Sequence, residues 1–375
     1  MLPCCAALVG RACPPVASIA GSPSPRRAAH TLSARLPAQH RSRPAVRGTE
    51  QQEGQTLRRL ASAQEPVAAP EAAQQPWESR EWEWKNGWRI KYAVAGEGPP
   101  LLLVHGFGAS LGQFRKNIPV LADAGYKVYA VDLLGFGGSS KPAELQFTMQ
   151  VWAEQLVDFV GQVIQADAGP DVGVVMVGNS LGSLAAIMAN SVLPAKAVRG
   201  TVLLNCAAGM NNKAVKGDWR IQLAMPLFLL IDFILKSAVG RTLFDNVRQP
   251  ENIRGALQSL YSSADSVDQE LVDLFYQPSC DEGAADVFIS VYTGPEGGPS
   301  PLDVLPALQG PLLVLWGEED RLTPRDGPVG RAFEALPELR PATAFVPLPD
   351  CGHCLHDDRP DLVHAELLPW LAALP

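Results

Sequence analysis

Short apolar runs alternate along the chain with longer segments in which apolar residues recur at helical spacing. The short runs predict buried strands at residues 101–104, 127–131, 172–177, 201–204, 312–316 and 344–348. The longer segments predict helices at residues 151–164, 181–192 and 362–371, the last interrupted by Pro369. A two-residue period around an Asn-Gly pair predicts a β-hairpin over residues 81–95. This alternation predicts a doubly wound, mostly parallel α/β sheet, which binds ligands at the carboxyl ends of its strands.

One interval breaks the alternation. Between residue 207 and about residue 304 there is no strand pattern, only predicted helices such as residues 253–261. We interpret residues 207–304 as a helical cap inserted into the sheet domain. The core of that domain is then divided into residues 76–206 and residues 305–375.

Residues 225–236 are the most apolar stretch of the predicted cap. They begin with a proline suited to a first helical turn and are apolar almost all round, so a helix there is either buried or faces an apolar ligand. On the second interpretation, Phe228 and Ile231 belong to the wall of a substrate cavity. Contact with a membrane surface is a third interpretation, although the stretch is shorter than the ~20 residues that span a bilayer.

The charge distribution separates the N-terminal segment from the rest of the chain. The whole chain carries 31 Lys and Arg against 39 Asp and Glu, a net charge of −8, which argues against a nucleic-acid partner. Residues 1–49 nevertheless contain seven Arg and no Lys, Asp or Glu. Such a leader is typical of organelle import, so residues 1–75 are predicted to be a transit peptide and a flexible linker. A disordered tail without a targeting signal is the alternative.

The strongest chemical signal is the G-x-S-x-G sequence at residues 178–182. It follows a predicted buried strand and opens a predicted helix, a context in which the serine lies on a sharp turn with its hydroxyl exposed at the end of the sheet. Ser180 is therefore the candidate nucleophile, and a structural serine in an ordinary turn is the alternative. We expect the neighbouring Asn179 to contact the substrate.

A serine hydroxyl needs a base and an orienting acid. His353 follows the last predicted strand and is the candidate base, while Asp320 follows the strand before it and is the candidate acid. The order Ser, Asp, His is that of α/β hydrolases rather than of chymotrypsin or subtilisin. Glu318 and Glu319 are closer to their strand and are alternative acids.

The third requirement is a set of donors for the developing oxyanion. The loop H-G-F-G-A-S at residues 105–110 leaves a predicted strand with small residues that allow the backbone to approach a substrate. We assign the donors to the backbone N–H groups of Phe107 and Leu181. His105 is interpreted as a residue that orders the loop.

Two further motifs lie near the C-terminus. Cys351 and Cys354 form a C-x-x-C string, but no thioredoxin-like pattern surrounds it, so a disulfide oxidoreductase is disfavoured. Because the two cysteines flank His353, a disulfide that brakes the enzyme is a hypothesis, and two free thiols are the alternative. Four nearby acidic and histidine residues match no metal-site spacing: His356, Asp357, Asp358 and His364. We predict neither a metal nor a cofactor.

Six motifs together resemble plant and algal plastid hydrolases of the pheophytinase and chlorophyll dephytylase group. The motifs are H-G-F-G-A-S (105–110), V-D-L-L-G-F-G-G-S (131–139), G-N-S-L-G (178–182), L-L-N-C-A-A-G-M-N-N (203–212), L-W-G-E-E-D-R-L-T-P (315–324) and G-H-C-L-H-D-D-R-P (352–360). The resemblance implies the α/β-hydrolase fold and a chloroplast serine esterase that acts on the phytyl ester of chlorophyll-type pigments. It also implies a triad of Ser180, Asp320 and His353. Ser183 departs from the second glycine that many such hydrolases have after the elbow.

Several functions stay open on the sequence alone. The predicted substrate is an apolar ester, and peripheral contact with a thylakoid or envelope membrane is an accompanying prediction. Ser180 argues against haloalkane dehalogenases and epoxide hydrolases, which have Asp at this position. A carboxylesterase or lipase for another plastid ester, a cofactor-free haloperoxidase and a carbon–carbon bond hydrolase all keep the serine. A hydrolase-fold receptor for a small molecule is the alternative from another class.

Overall fold

The computed structural model describes residues 75–211, 229–294 and 297–375. The predicted transit peptide and nearly all of the predicted linker, residues 1–74, lie outside these ranges, and so does Phe228.

The described residues form an eight-stranded sheet. Its strands are β1 Glu78–Trp84, β2 Trp88–Ala95, β3 Pro100–Val104, β4 Lys127–Val131, β5 Val174–Asn179, β6 Val198–Leu204, β7 Leu312–Gly317 and β8 Thr343–Leu348. Their order is β1-β2-β4-β3-β5-β6-β7-β8. The pairs β1–β2 and β2–β4 are antiparallel and the other pairs are parallel, which confirms the predicted mostly parallel α/β sheet.

Helices separate most of these strands. Those with six or more residues and both ends described are α1 Ile118–Asp123, α2 Met149–Phe159, α3 Leu181–Val192, α4 Ala238–Val247, α5 Pro250–Leu260, α6 Gln269–Ser279, α7 Ala284–Thr293, α8 Pro328–Glu334 and α9 Pro360–Ala372. Shorter helical segments are Gln165–Ala168, Pro301–Val304, Leu336–Leu339 and Leu355–Asp358, and residues 229–235 are also helical. Between β6 and β7 the described residues contain helices and no strand.

Local sequence accounts for most of these boundaries. The predicted hairpin is present, and its turn uses positive φ angles of 60° at Asn86 and 74° at Gly87, which these two residue types tolerate best. The strand predicted from residue 172 begins only at Val174, because the Val172 N–H bonds to the Gly169 carbonyl in a turn. Pro369 does not interrupt α9, which continues to Ala372 although a proline inside a helix has no N–H to donate.

One helix differs from its prediction. The segment predicted to be helical over residues 151–164 is α-helical only as far as Phe159 and continues as a π-helical turn over Val160–Ile164.

Side chains of each central strand point alternately to the two faces of the sheet. Leu102 and Val104 of β3 belong to an apolar cluster that includes α2 and α3, whereas Leu101 and Leu103 belong to a second cluster that includes α1 and α9. All four side chains are buried. Burial on both faces explains why the parallel strands are uninterrupted apolar runs in the sequence.

A third apolar cluster joins the helices between β6 and β7 to the segment that follows β8. It comprises Leu257, Tyr261, Val267, Leu271, Val272 and Cys354. The cluster therefore connects α5 and α6 with the loop that carries His353.

Residues 229–235 have several large apolar side chains on the surface. Leu229, Leu230 and Phe233 have exposed fractions of 59%, 54% and 74%. Burial, one interpretation of this apolar stretch, is therefore wrong for these side chains.

Candidate active site

Ser180 lies at the junction between β5 and α3. Its backbone has φ 54° and ψ −117°, a conformation that is strained for a residue with a side chain. Hydrogen bonds hold it there: the Ser180 N–H donates to Leu204 O at 2.9 Å, and Ser180 O accepts from the Ser183 N–H at 3.0 Å. This is the sharp strand-to-helix turn that the G-x-S-x-G sequence predicts.

The two glycines of the elbow allow backbones to pack at distances that no side chain permits. A Cβ on Gly182 would lie 2.3 Å from Val104 O and 2.4 Å from His105 O, so α3 begins in direct contact with the end of β3. A Cβ on Gly178 would lie 2.5 Å from backbone atoms of Gly182. The motif is thus explained by steric contacts as well as by chemistry.

Polar side chains beside the serine complete the elbow. The buried Ser183 hydroxyl donates to Gly178 O at 2.5 Å and accepts from the Leu204 N–H at 3.2 Å. The serine that replaces the second glycine therefore connects the start of α3 to β5 and β6. The Asn179 amide donates to Leu204 O at 3.0 Å and to His353 O at 3.1 Å. Asn179 borders the cavity, but its donors tie the elbow to the His353 loop; its predicted contact with substrate stays a prediction.

Asp320 and His353 are in direct contact. His353 Nδ1 lies 2.8 Å from Asp320 Oδ2, and both side chains are buried. A His353 ring that donates through Nδ1 leaves Nε2 as its acceptor nitrogen. Of the three acidic residues considered, only Asp320 has this position: Glu318 accepts from Arg325 at the surface, and Glu319 is exposed.

The Asp320 carboxylate is held in its charged form. Burial raises its pKa, but the nearby His353 and the hydrogen bonds from His353 and Thr323 outweigh burial, so the pKa lies below its ordinary value. Thr323 contributes its hydroxyl at 2.6 Å from Oδ2 and its N–H at 2.9 Å from Oδ1, and the Leu322 N–H also donates to Oδ1. A carboxylate with these partners can orient a histidine ring.

The loop that follows β3 passes beside the elbow. A Cβ on Gly106 would lie 3.3 Å from Ser180 Cβ, and the next residue, Phe107, borders the same cavity as Ser180. Leu181 is the first residue of α3, in the turn whose N–H groups have no helical carbonyl to bond. Phe107 therefore lies beside the same cavity as Ser180, and Leu181 follows Ser180 directly; their role as oxyanion donors stays a prediction.

His105 and Asp132 form hydrogen bonds that order the loop after β3. His105 Nδ1 donates to Gly106 O at 2.7 Å, and its Nε2 accepts from the Leu133 N–H at 3.0 Å, which defines a neutral ring. Burial also lowers the pKa of His105. The Asp132 carboxylate accepts from the N–H groups of Leu111 and Gly138 at 2.6 and 2.7 Å. These contacts are those of the loop-ordering residue expected at His105.

Ser180 and His353 border the same cavity, which has a volume of about 210 Å³. Its wall is mostly apolar and is rich in aromatic rings. Helices α4 to α7 contribute Phe244, Leu257, Leu260, Phe275, Phe288 and Tyr292. The arrangement is that of an apolar pocket with a few polar groups at one place, as in small-molecule sites.

Ile231 is not part of this cavity wall, contrary to the sequence prediction. It is half-buried in the helical residues 229–235, where Leu229, Leu230 and Phe233 are exposed and Leu235 is buried. Helical periodicity identified an apolar segment but not its position relative to the elbow. Phe228, the other predicted wall residue, lies outside the described residues.

Sequence reasoning missed the residues that form the wall and the supports. The aromatic residues of α4 and α7 lie in ordinary amphipathic helices, and nothing in their spacing separates a cavity wall from a core. Asp132 carried a usable signal, because a carboxylate directly after a buried apolar strand needs partners. Thr323 carried a weaker one, as the third residue after the candidate acid.

Cys351 and Cys354 are free thiols in the structure. They belong to two different apolar clusters, so their side chains pack in different places. Burial raises the pKa of Cys351 to about 12 and also raises that of Cys354, which suppresses the thiolate needed for oxidation. These features oppose the hypothesis of a disulfide brake.

The other polar residues after His353 do not converge on a point. In the part of the chain that the structure describes, no group of three or more histidine, cysteine or carboxylate side chains could hold a metal ion. His356 is buried with its ring 4.5 Å from that of Phe114, and burial lowers its pKa to about 3. Asp357 and Asp358 accept hydrogen bonds from neighbouring segments instead.

Comparison with known proteins agrees with this geometry. The model of the alpha/beta hydrolase family matches residues 101–366. A 2-hydroxy-6-oxo-6-(2'-aminophenyl)hexa-2,4-dienoic acid hydrolase of Metapseudomonas resinovorans is 27% identical over 285 residues, which cover 74% of this chain and 85% of that protein. The chloroplastic pheophytinase of Arabidopsis thaliana is 25% identical over 338 residues, which cover 78% of this chain and 66% of that protein.

Solved structures show the same architecture. A serine hydrolase involved in carbazole degradation, the CarC enzyme, superposes with a TM-score of 0.58 over 79% of this chain and 99% of that one, at 24% identity. The chain belongs to the alpha/beta hydrolase family. The predicted fold class is thereby confirmed, and the family makes the protein a hydrolytic enzyme.

Proposed function

We propose that the protein is a serine hydrolase that cleaves a carboxylic ester with an apolar chain through an acyl-enzyme. The observation that carries this proposal is that Ser180 and His353 border one apolar cavity, with His353 Nδ1 held by Asp320 behind it. In this mechanism His353 Nε2 takes the proton of the Ser180 hydroxyl as its oxygen attacks the ester carbonyl carbon. Asp320 holds the ring and stabilises the imidazolium that forms.

The remaining steps use the same groups. The N–H groups of Phe107 and Leu181 donate to the oxyanion of the tetrahedral intermediate. The intermediate collapses as His353 returns the proton to the leaving alkoxide, and the alcohol departs. A water then attacks the acyl group with His353 again as base, which releases the acid and restores Ser180.

Within this class, we propose a phytyl ester of a chlorophyll-type pigment as the substrate. The aromatic wall supports an apolar chain, and the similarity to a pheophytinase supports the pigment. The cavity of about 210 Å³ is smaller than the ~300–1,000 Å³ of typical ligand pockets. A pigment ester would therefore place only part of its chain inside and its ring system at the mouth. An apolar plastid ester without a ring system would need less of the cavity volume than a pigment ester.

Hydrolysis of a carbon–carbon bond is the second candidate. It is favoured by the similarity to a hydrolase of a 2-hydroxy-6-oxo-hexadienoic acid. Such a substrate carries a carboxylate, so it would need a cation in the cavity. Two cations border the cavity, and both have acidic partners: the Lys141 ammonium donates to Asp281 at 2.8 Å, and Arg248 Nε donates to Asp245 at 2.9 Å. This occupancy favours the ester.

Product analysis decides between these candidates. The purified full chain is incubated with pheophytin, chlorophyll, a series of simple acyl esters and a 2-hydroxy-6-oxo-hexadienoic acid. We expect an acid and an alcohol from an ester, and no turnover by Ser180→Ala. Ser191→Ala is the matched control, since that hydroxyl donates only to Met188 O in the same helix. Cleavage of the dienoic acid alone would reverse the preference.

A measurement of turnover separates an enzyme from a receptor. A receptor would bind one of these compounds and recruit a partner without turnover. We expect instead that the full chain releases products through repeated turnover, and that a fluorophosphonate probe labels Ser180. A wild type that is neither labelled nor active on any ester would overturn the proposed function.

We propose the chloroplast as the location. The Arg-rich, acid-free residues 1–49 and the similarity to a chloroplastic pheophytinase support it. Residues 1–75 fused to a fluorescent reporter should direct it to plastids and be cleaved there. A cytosolic reporter would contradict the proposal, and a mitochondrial one would correct the organelle.

Peripheral membrane contact stays a prediction. Among the described residues no helix is long and apolar enough to cross a bilayer. The exposed Leu229, Leu230 and Phe233 are the side chains that suit such contact. Binding of the full chain to thylakoid-lipid vesicles, compared with a variant carrying Phe233→Ser, measures it.

A further inference from the structure

The loop that carries His353 is attached by its backbone to the end of α5. The His353 N–H donates to Leu260 O at 2.7 Å. A Cβ on Gly352 would lie 2.3 Å from Leu260 O and 2.9 Å from Ser262 N, so glycine is required for this approach. Leu260 also borders the cavity. One residue thus forms part of the cavity wall and contacts the backbone of the proposed base.

The Asp358 carboxylate connects the two segments a second time. Its Oδ2 accepts from the Gly352 N–H at 2.8 Å and from the Ser262 N–H at 2.8 Å, and the side chain is buried. Hydrogen bonds from N–H groups to a charged oxygen are stronger than neutral ones. Because one oxygen atom accepts from both segments, neither can shift without stretching a bond.

The adjacent Asp357 makes a parallel connection. The Tyr261 hydroxyl donates to Asp357 Oδ2 at 3.1 Å, and Arg115 Nε donates to Oδ1 at 3.3 Å. Arg115 also bonds Asp268, whose carboxylate caps the N-terminus of α6. Asp358 therefore joins the His353 segment to the residues that follow α5, and Asp357 joins it there and, through Arg115, to α6.

We propose that Asp358 is a positioning residue that sets the place of His353 relative to the helices that form the cavity wall. The inference rests on the proposed function in that His353 is the base. Asp358 acts only through Gly352 and His353, since it does not border the cavity. If the Asp358 carboxylate loses its charge, the Gly352 and Ser262 N–H groups lose a strong acceptor. The His353 loop can then shift. A displacement of ~1 Å lowers the rate about a hundredfold.

Asp358→Asn tests this role, with Asp361→Asn as the matched control. Asp361 lies three residues further along, where its exposed carboxylate pairs with Arg359. We expect Asp358→Asn to lower kcat about tenfold to a hundredfold at nearly unchanged KM, and to slow fluorophosphonate labelling by the same factor. Asp361→Asn should match the wild type. Wild-type kcat in Asp358→Asn, or a higher KM with unchanged kcat, would overturn the proposal.

Backbone amide exchange provides a readout that does not need turnover. In Asp358→Asn the amides of Gly352, His353 and Ser262 should exchange faster, while those of β5 stay protected. Unchanged exchange at these three amides overturns the inference even if the wild type proves inactive, which would separately overturn the proposed function. Should Asp358→Asn fail to fold, Asp358→Glu replaces it: its longer arm moves the carboxylate away from the Gly352 and Ser262 N–H groups, so faster exchange and a lower kcat are again expected.

Discussion

The Ser180 elbow and the His353 loop are held in place by different means. At the elbow, Gly178 and Gly182 let backbones pack where any side chain would clash, and residues 178–182 lie within one short segment. At the His353 loop, side chains hold the position: Asp320 contacts the His353 ring, and Asp358 accepts from the Gly352 N–H. Close backbone packing is the main constraint on the nucleophile, and side-chain hydrogen bonds are the main constraint on the base.

The two regions should therefore fail in different ways. Changes at the elbow force backbones apart, so their main cost is the free energy of unfolding. Changes at the His353 loop leave the packed core intact, so their main cost is rate.

The largest effect is expected for Asp320→Asn. Loss of the charge and of the acceptor for His353 Nδ1 should lower kcat by about 10⁴-fold, because the ring loses its orientation and its partner charge. The melting temperature should change little. Kinetics with the best ester, beside thermal unfolding, measure both. Glu319→Gln, a surface change one residue away, is the control, and an equal loss there would contradict the assignment.

Gly182→Ala should show the opposite behaviour. Its Cβ would meet two backbone carbonyls at 2.3 and 2.4 Å, and neither can move without displacing β3. We expect a loss of about 3 kcal/mol in the free energy of unfolding, measured by chemical denaturation. Wild-type stability would show that the elbow is not held by sterics.

Thr323→Val tests a finer contact at the histidine side. The substitution keeps the shape but removes the hydroxyl that donates to Asp320 Oδ2 at 2.6 Å. We expect about a tenfold lower kcat, in keeping with ~1.5 kcal/mol for a hydrogen bond to a charged group. Thr148→Val removes a hydroxyl that caps α2, so it should cost about 1 kcal/mol of stability and no rate. Equal kcat losses in both variants would count against a specific role for Thr323.

The smallest effect is expected for Gly255→Ala. Gly255 lies within α5, and a Cβ there would meet no atom within 4 Å. The variant should gain about 0.5–1 kcal/mol in the free energy of unfolding, since alanine favours the helix. A loss of stability would mean that glycines in this chain cannot be sorted by contact distances, which would weaken the interpretation of Gly182.

The accuracy of the sequence predictions follows the range of the interactions involved. The parallel strands and the elbow were predicted because their signals lie within a few residues: uninterrupted apolar runs, and a G-x-S-x-G sequence between a strand and a helix. Ile231 does not border the described cavity, which its apolar segment alone could not show, because helical periodicity shows that a face is apolar but not what it faces.

By itself, the sequence determined the α/β sheet, the turn at Ser180 and the candidate residues Asp320 and His353, since chain order and local pattern carry that information. Tertiary packing alone brings particular groups together: Asp320 rather than Glu318 against His353, the rings of α4 to α7 around the cavity, and the Leu260 carbonyl against the His353 N–H. The reason is physical. Such contacts join residues from distant parts of the chain, and their distances arise only when the helices pack onto the sheet.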